Sequence, residues 1–173
     1  MNKAVFLDRD GVVNEVLTNR VHFVNKPEDF YLLDGVGEAV ALLNRSGFQV
    51  FVVTNQGGIG LGYMSEKMLH KIHDKMVREI GRKGGRITDI KYCPHAPKER
   101  CSCRKPNPKM ILDLAEQYQV DLKKSYMIGD RDVDLIAGKK AGVRTVLIGG
   151  CDPAADFCFP VLLDAVRFIV GKN

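Results

Sequence analysis

Apolar and polar positions along the chain fall into two periods. Short continuous apolar runs, which read as buried strands, alternate with segments whose apolar residues recur every three to four positions, which read as amphipathic helices. The run Ala4-Val5-Phe6-Leu7 is the first strand. Val50–Val53, Ile87–Tyr92, Ser125–Ile128 and Arg144–Ile148 are four more. Helices are expected over Val36–Arg45, Glu66–Ile80, Pro108–Tyr118, Asp132–Ala141 and Pro160–Val170. Gly47 and Gly142 follow periodic segments as C-terminal stops. Ser65 is placed to cap the helix that carries Met68, Leu69, Ile72, Met76 and Ile80, and Asn107-Pro108 reads as a cap followed by a first helical proline. The alternation predicts an α/β fold: an open, mostly parallel sheet with helices on both faces. Glu15–Tyr31 fits neither period and is expected to form a flap over the strand tips.

The first strand stops at Asp8-Arg9-Asp10-Gly11. Residues two apart on an extended chain point the same way, so both carboxylates can face one pocket. That pocket lies where the carboxyl ends of parallel strands open into a ligand crevice. Two crowded carboxylates repel unless a cation lies between them or one is protonated. A hard cation such as Mg²⁺ suits them and leaves one acid to attack or to move protons. A plain solvated turn remains open for this stretch alone.

Other strand tips add to this edge. The second strand runs into Thr54-Asn55-Gln56-Gly57-Gly58, where a hydroxyl, amides and close backbone N–H groups can meet phosphate oxygens. The glycines from Gly57 to Gly62 miss the spacing of a dinucleotide fingerprint and read as a turn. The fourth strand ends in Gly129-Asp130-Arg131-Asp132-Val133-Asp134. Asp130 can complete a Mg²⁺ shell with Asp8 and the backbone carbonyl of Asp10. Asp134 reads as support behind it.

Cys93-Pro94-His95 and Cys101-Ser102-Cys103 form two tight ligand pairs. Cys93, His95, Cys101 and Cys103 suit tetrahedral Zn²⁺ in a closed, structural site. Arg104-Lys105-Pro106 follows at once, so this loop fixes two cations suited to phosphate. His70 and His73 lie opposite the apolar stripe of their helix and read as surface residues. Cys151 and Cys158 have no partner cluster and read as plain thiols.

The chain has 173 residues, 45% hydrophobic and 27% charged, the size and balance of one globular domain spanning residues 1–173. Its net charge of +5 admits nucleic acid or a small phosphorylated substrate. The basic residues make no long run, and the carboxylates at the strand tips would repel a phosphate backbone. A zinc module for nucleic acid is therefore the weaker reading. No apolar run is long enough to span a membrane and no secretory signal is visible, so the expected compartment is a reducing cytoplasm.

Together these residues resemble the haloacid dehalogenase superfamily. Its four motifs match Asp8-x-Asp10-Gly11, Thr54, Lys105 and Gly129-Asp130-x-x-x-Asp134 in order. The cysteine–histidine loop before Arg-Lys-Pro is similar to the branch holding heptose-bisphosphate and histidinol-phosphate phosphatases, and the flanking strings resemble the heptose enzymes more closely. That branch commonly carries threonine where this chain has Val12. The resemblance implies a Rossmann-like sheet with no large cap domain. It implies Asp8 as nucleophile, Asp10 as general acid and base, Thr54 and Lys105 on the phosphoryl oxygens, and Mg²⁺ held by Asp8, Asp10 and Asp130. Arg9, Asn55, Gln56, Gly57, Arg104 and Arg131 are expected at the substrate, with Arg20 and His22 of the flap over the sugar. The implied protein is a cytoplasmic monomer acting on a small phosphorylated sugar, with no nucleic-acid or membrane partner. Histidinol phosphate is the rival substrate, and transfer to an acceptor other than water the rival reaction.

Overall fold

The computed structural model describes residues 1–172. Six strands form one sheet: β1 (Lys3–Leu7), β2 (Phe48–Asn55), β3 (Asp89–Cys93), β4 (Tyr126–Gly129), β5 (Arg144–Ile148) and β6 (Phe157–Phe159). The order is β3-β2-β1-β4-β5-β6, and every neighbouring pair is parallel. The helices are α1 (Val36–Arg45), α2 (Glu66–Arg82), α3 (Lys109–Gln117), α4 (Asp132–Ala141) and α5 (Leu162–Gly171).

The pleat sorts the strand residues into two layers. Val5, Leu7, Val50, Val52, Ile128 and Val146 join the buried residues of α1, α2 and α5 on one face. Ala4, Phe6, Phe51, Val53 and Met127 join α3 and α4 on the other. Strands covered on both faces must be apolar at every position, which is why they read as unbroken runs rather than alternating ones. Phe6 and Phe51, neighbours across β1 and β2, stack with ring centroids 5.3 Å apart.

The local signals behave as their chemistry requires, with exceptions. Ser65 Oγ accepts from the Met68 N–H at 3.1 Å and opens α2, and Gly142 closes α4 in the left-handed region at φ 86°. Asn107 does not cap α3; Pro108 holds the cap position, and the Asn107 side-chain amide donates to the Cys101 carbonyl instead. β6 escaped the sequence reading because three residues, Phe157-Cys158-Phe159, carry no measurable period. Cys151 and Cys158 are not plain thiols. They are joined as a disulfide across the β5–β6 connection, a pairing that five cysteines with seven-residue spacing do not announce. His73 is buried rather than on the surface, while His70 stays exposed with its Nε2 3.3 Å from the Tyr92 hydroxyl.

Glu15–Tyr31 is the expected flap. It has no strand or α-helix, only one 3₁₀ turn at Pro27–Asp29. Lys75 on α2 ties down its base, donating to the Pro27 and Phe30 carbonyls at 2.9 Å each. Among the described residues no helix is long and apolar enough to cross a membrane.

Candidate active site

The carboxyl ends of β1, β2 and β4 and the loop after β3 meet at a cavity of about 540 Å³. Asp8, Asp10, Asn55, Gln56, Gly57, Arg104, Lys105, Asp130 and Arg131 all line it. Val16, Leu17, Phe23 and Val24 of the flap give it an apolar wall, with the polar Asn25 beside them.

Lys105 is the electrostatic centre. Its ammonium donates to Asp8 Oδ1 at 2.8 Å, to Asp134 Oδ1 at 2.7 Å and to the Val53 carbonyl at 2.8 Å. Those three acceptors use all three of its protons. Asp134 also accepts from the Arg131 N–H at 3.2 Å, so it both starts α4 and holds Lys105. One ammonium against the Asp8, Asp130 and Asp134 carboxylates leaves negative charge uncompensated. Burial, only partly offset by Lys105, pushes the Asp8 carboxyl up to about 8. Burial and the charge of Asp134 also raise Asp130.

The donor set fits a hard divalent cation. Asp8, Asp130 and Asp134 each offer an oxygen, all within 4.8 Å of one another. Asp130 Oδ1 is out of water and has no hydrogen-bond partner. A buried acceptor of that kind calls for a cation or a donor. Gly11 brings the two motifs this close. It sits at φ 86°, and a Cβ there would collide with the Asp130 carboxylate.

Asp10 is oriented by its neighbours. Its Oδ1 accepts from Arg9 Nη2 at 2.8 Å, Arg9 Nε at 3.2 Å and Asn14 Nδ2 at 2.9 Å. Its Oδ2 accepts from Gln56 Nε2 at 3.1 Å. Burial works against ionisation here, but the Arg9 charge and these donors outweigh it and hold the carboxyl below its usual range. Asn14 reaches Asp10 because the chain turns tightly after it, with the Val13 N–H on the Arg9 carbonyl at 2.8 Å. The Asn14 side chain was not marked by the sequence; a D-x-D-G-x-x-N spacing in a turn is the signal that finds it.

Several expected contacts are differently employed. Arg9, expected at the substrate, is fully buried and does not line the cavity; its guanidinium lies against Asp10 instead. Arg20 bonds Glu15 through a two-point contact and lies 3.8 Å from the Tyr31 ring, and His22 packs edge-on against Phe23. Neither lines the cavity. Asn55 grips the Lys105 backbone twice, accepting its N–H at 2.9 Å and donating to its carbonyl at 3.1 Å. Its amide is a splint between the β2 tip and the loop after β3. Thr54 is buried at the β2 tip, its Oγ1 accepting from Gln56 Nε2 at 2.9 Å. Arg104 donates to the His95 carbonyl at 3.3 Å while still lining the cavity.

Cys93, His95, Cys101 and Cys103 converge, their ligand atoms within 4.8 Å of one another. Cys93 Sγ lies 2.8 Å from Cys103 Sγ and 3.4 Å from His95 Nδ1. Burial pushes the Cys93 thiol up to about 12, while hydrogen bonding, first from the Arg104 N–H, brings Cys101 down to about 7. Three sulfurs and an imidazole nitrogen around one point suit a tetrahedral thiophilic ion.

Known proteins resemble this chain in sequence and in fold. Residues 102–155 match the model of the HAD-hydrolase-like family. A D-glycero-β-D-manno-heptose-1,7-bisphosphate 7-phosphatase of Rhodopseudomonas palustris is 40% identical over 98% of this chain and 95% of its own. The chain belongs to this family of HAD-type phosphatases. A namesake enzyme of Neisseria meningitidis serogroup A is 36% identical over 99% of this chain and 96% of its own. In fold, the chain superposes on a D,D-heptose 1,7-bisphosphate phosphatase from B. bronchiseptica, solved with magnesium and phosphate. The TM-score is 0.90, with 33% identity and 99% of each chain covered.

Proposed function

We propose that this chain removes the C7 phosphate of a D-glycero-D-manno-heptose 1,7-bisphosphate through a phosphoryl intermediate on Asp8. The convergence of Asp8, Asp10, Asp130 and Lys105 at one end of a single cavity carries this reading. The named relatives supply the substrate, and the histidinol-phosphate reading has no observation in its favour.

Mg²⁺ held by Asp8, Asp130 and the Asp10 backbone carbonyl would neutralise the charge that Asp8 and the phosphate bring together. The rest of the chemistry belongs to the side chains. Asp8 attacks phosphorus in line; a bond forms between its carboxylate oxygen and phosphorus while the bond from phosphorus to the sugar oxygen breaks. Asp10 is ionised in the free protein; the negative charge of the incoming phosphate favours its protonated form, which gives that proton to the leaving alkoxide. Its Oδ2 is the oxygen for this, because Oδ1 is already filled by three donors. The Asp10 carboxylate then takes a proton from water as that water attacks the phosphoryl group, and Asp8 leaves as a free carboxylate. Lys105 holds its charge against Asp8 throughout, and Thr54 stands beside it at the β2 tip. Arg104 and Arg131, both lining the cavity, are the cations available to the second phosphate. Zn²⁺ in the four-ligand loop would be structural, fixing the segment that carries Arg104 and Lys105.

Phosphate release with Mg²⁺ from heptose 1,7-bisphosphate, heptose 7-phosphate and histidinol phosphate, assayed in parallel, tests the reading. The bisphosphate is expected to lead in kcat/KM by about tenfold or more, a margin one charge-assisted hydrogen bond from Arg104 or Arg131 supplies. The product should be the 1-phosphate by ³¹P NMR. Preference for histidinol phosphate would overturn the substrate and keep the chemistry.

A further inference from the structure

We propose that His73, on α2, is a positioning residue that acts through Arg9 on the general acid and base Asp10. The proposal rests on the functional reading above, in which Asp10 protonates the leaving group.

Arg9 is 0% exposed, and its guanidinium is held at both ends. On one side Nε and Nη2 both donate to Asp10 Oδ1, at 3.2 and 2.8 Å. On the other, Nη1 lies 3.2 Å from His73 Nε2. Arginine has no acceptor, so Nη1 donates and Nε2 must offer a lone pair. That assigns the His73 proton to Nδ1 and makes the ring a neutral acceptor. The ring is itself fixed: His73 is 6% exposed and its centroid lies 6.2 Å from that of Tyr92 on β3.

The consequence is mechanical. Contact from Arg9 pins Asp10 Oδ1 and leaves Oδ2, which accepts only from Gln56, as the oxygen available to substrate. An arginine in contact with one carboxylate oxygen could pivot about it; the bond to His73 removes that freedom. A misplacement of even an ångström at a reacting group is enough to cost about 100-fold in rate. None of this needs His73 near the substrate, and it does not line the cavity.

The leaving group reports on this arrangement. An alkyl phosphate such as the heptose substrate needs a proton on its departing oxygen, whereas 4-nitrophenyl phosphate leaves as a stable anion and does not. Its kcat/KM covers steps only up to that departure. With Mg²⁺-loaded protein, His73→Leu is expected to lower kcat/KM for the sugar phosphate about 10- to 100-fold and for 4-nitrophenyl phosphate less than about threefold. His73→Gln places a neutral acceptor near the position of Nε2 and should bring the sugar-phosphate value back to within about threefold of the parent. Arg9→Lys keeps the buried charge but gives up the fork, and should show the same alkyl-selective loss even if His73→Leu does not fold. Asp10→Asn is the reference. If it shows no alkyl-selective loss, the acid role itself fails. If it does, while His73→Leu and Arg9→Lys lose equally on both substrates or lose nothing, the positioning role is overturned and the acid role stands. Failure of His73→Gln to rescue a folded protein would overturn the acceptor assignment as well.

Discussion

Lys105 Nζ lies 2.8 Å from Asp8 Oδ1, with the two side chains only 2% and 10% exposed. The same ammonium is 2.7 Å from Asp134, whose side chain is 0% exposed. Burial favours the neutral form of Lys105, but the two carboxylates outweigh it and raise its pKa. The nucleophile is therefore kept in place by a cation that a distant loop delivers.

Removing that cation while preserving its bulk, as in Lys105→Met, leaves buried carboxylates facing each other. Breaking a buried pair from one side costs about 3–5 kcal/mol, so a large fall in Tm is expected together with loss of turnover. Asp8→Asn removes the nucleophile but relieves repulsion, so it should be inactive yet at least as thermostable as the parent protein. Thermal melts of both variants check this; an active Asp8→Asn protein would defeat the mechanism.

The Asp8 carboxyl, pushed up to about 8 chiefly by burial, holds a proton over much of the neutral range when no cation is present. Proton and Mg²⁺ then compete for the same oxygens. Mg²⁺ affinity should rise with pH, by at most about tenfold per unit below that value, and level off above it. Calorimetry at pH 7 in buffers of different ionisation enthalpy should find protons released on binding. A pH-independent affinity with no proton release would show that Asp8 is already ionised.

His73 makes folding stability fall as the pH is lowered. Burial, with the Arg9 charge beside it, lowers the ring from 6.5 to about 3. The unfolded chain takes up this proton below 6.5 and the folded protein only near 3. Its contribution is therefore complete above pH 6.5 and shrinks as pH falls toward 3, by roughly 3–5 kcal/mol in all. His73→Gln should flatten the acid limb of stability against pH, measured by urea unfolding between pH 4 and 7. An unchanged slope would mean that other groups carry the acid sensitivity.

The sheet, its helices and the strand-tip carboxylates were legible because each rests on local pattern. Apolar runs, the Ser65 cap and the i, i+2 pair of Asp8 and Asp10 are all set by neighbouring residues. The misreadings come from pairings across the chain. Arg9 reads as a cation beside a phosphate site, but only the fold shows that α2 brings His73 to its far side, 64 positions along the chain. Asn55 reads as a substrate amide and does line the cavity, but the sequence does not show that Lys105, 50 positions away, bonds both its ends. Arg20 reads as a flap cation over the sugar, but Glu15 and Tyr31 bracket it within the flap. The disulfide between Cys151 and Cys158 depends on β6, which is too short to show a period.

The cysteine–histidine loop sets a last expectation. Cys93 ends β3 and Cys103 immediately precedes Arg104 and Lys105, so the ligand cluster spans the whole loop that delivers Lys105 to Asp8. Residues Pro94 to Ser102 supply only Ala96 to the buried hydrophobic set, so packing alone holds that stretch weakly. Purified protein should contain about one zinc per chain. Stripping it, or making Cys101→Ser with Cys103→Ser, should cut turnover about tenfold or more while far-UV circular dichroism stays near that of the parent, because the loop adds only Cys93, with Cys101 and Cys103 packed beside it, to one of the two hydrophobic layers. The residual activity would rest on Asn55, whose two hydrogen bonds still grip the Lys105 backbone, and adding Asn55→Ala should remove it. Zinc, and not extra Mg²⁺, should restore the stripped protein. Full activity in a zinc-free chain would show that Asn55 and the three acceptors of the ammonium place Lys105 without the metal.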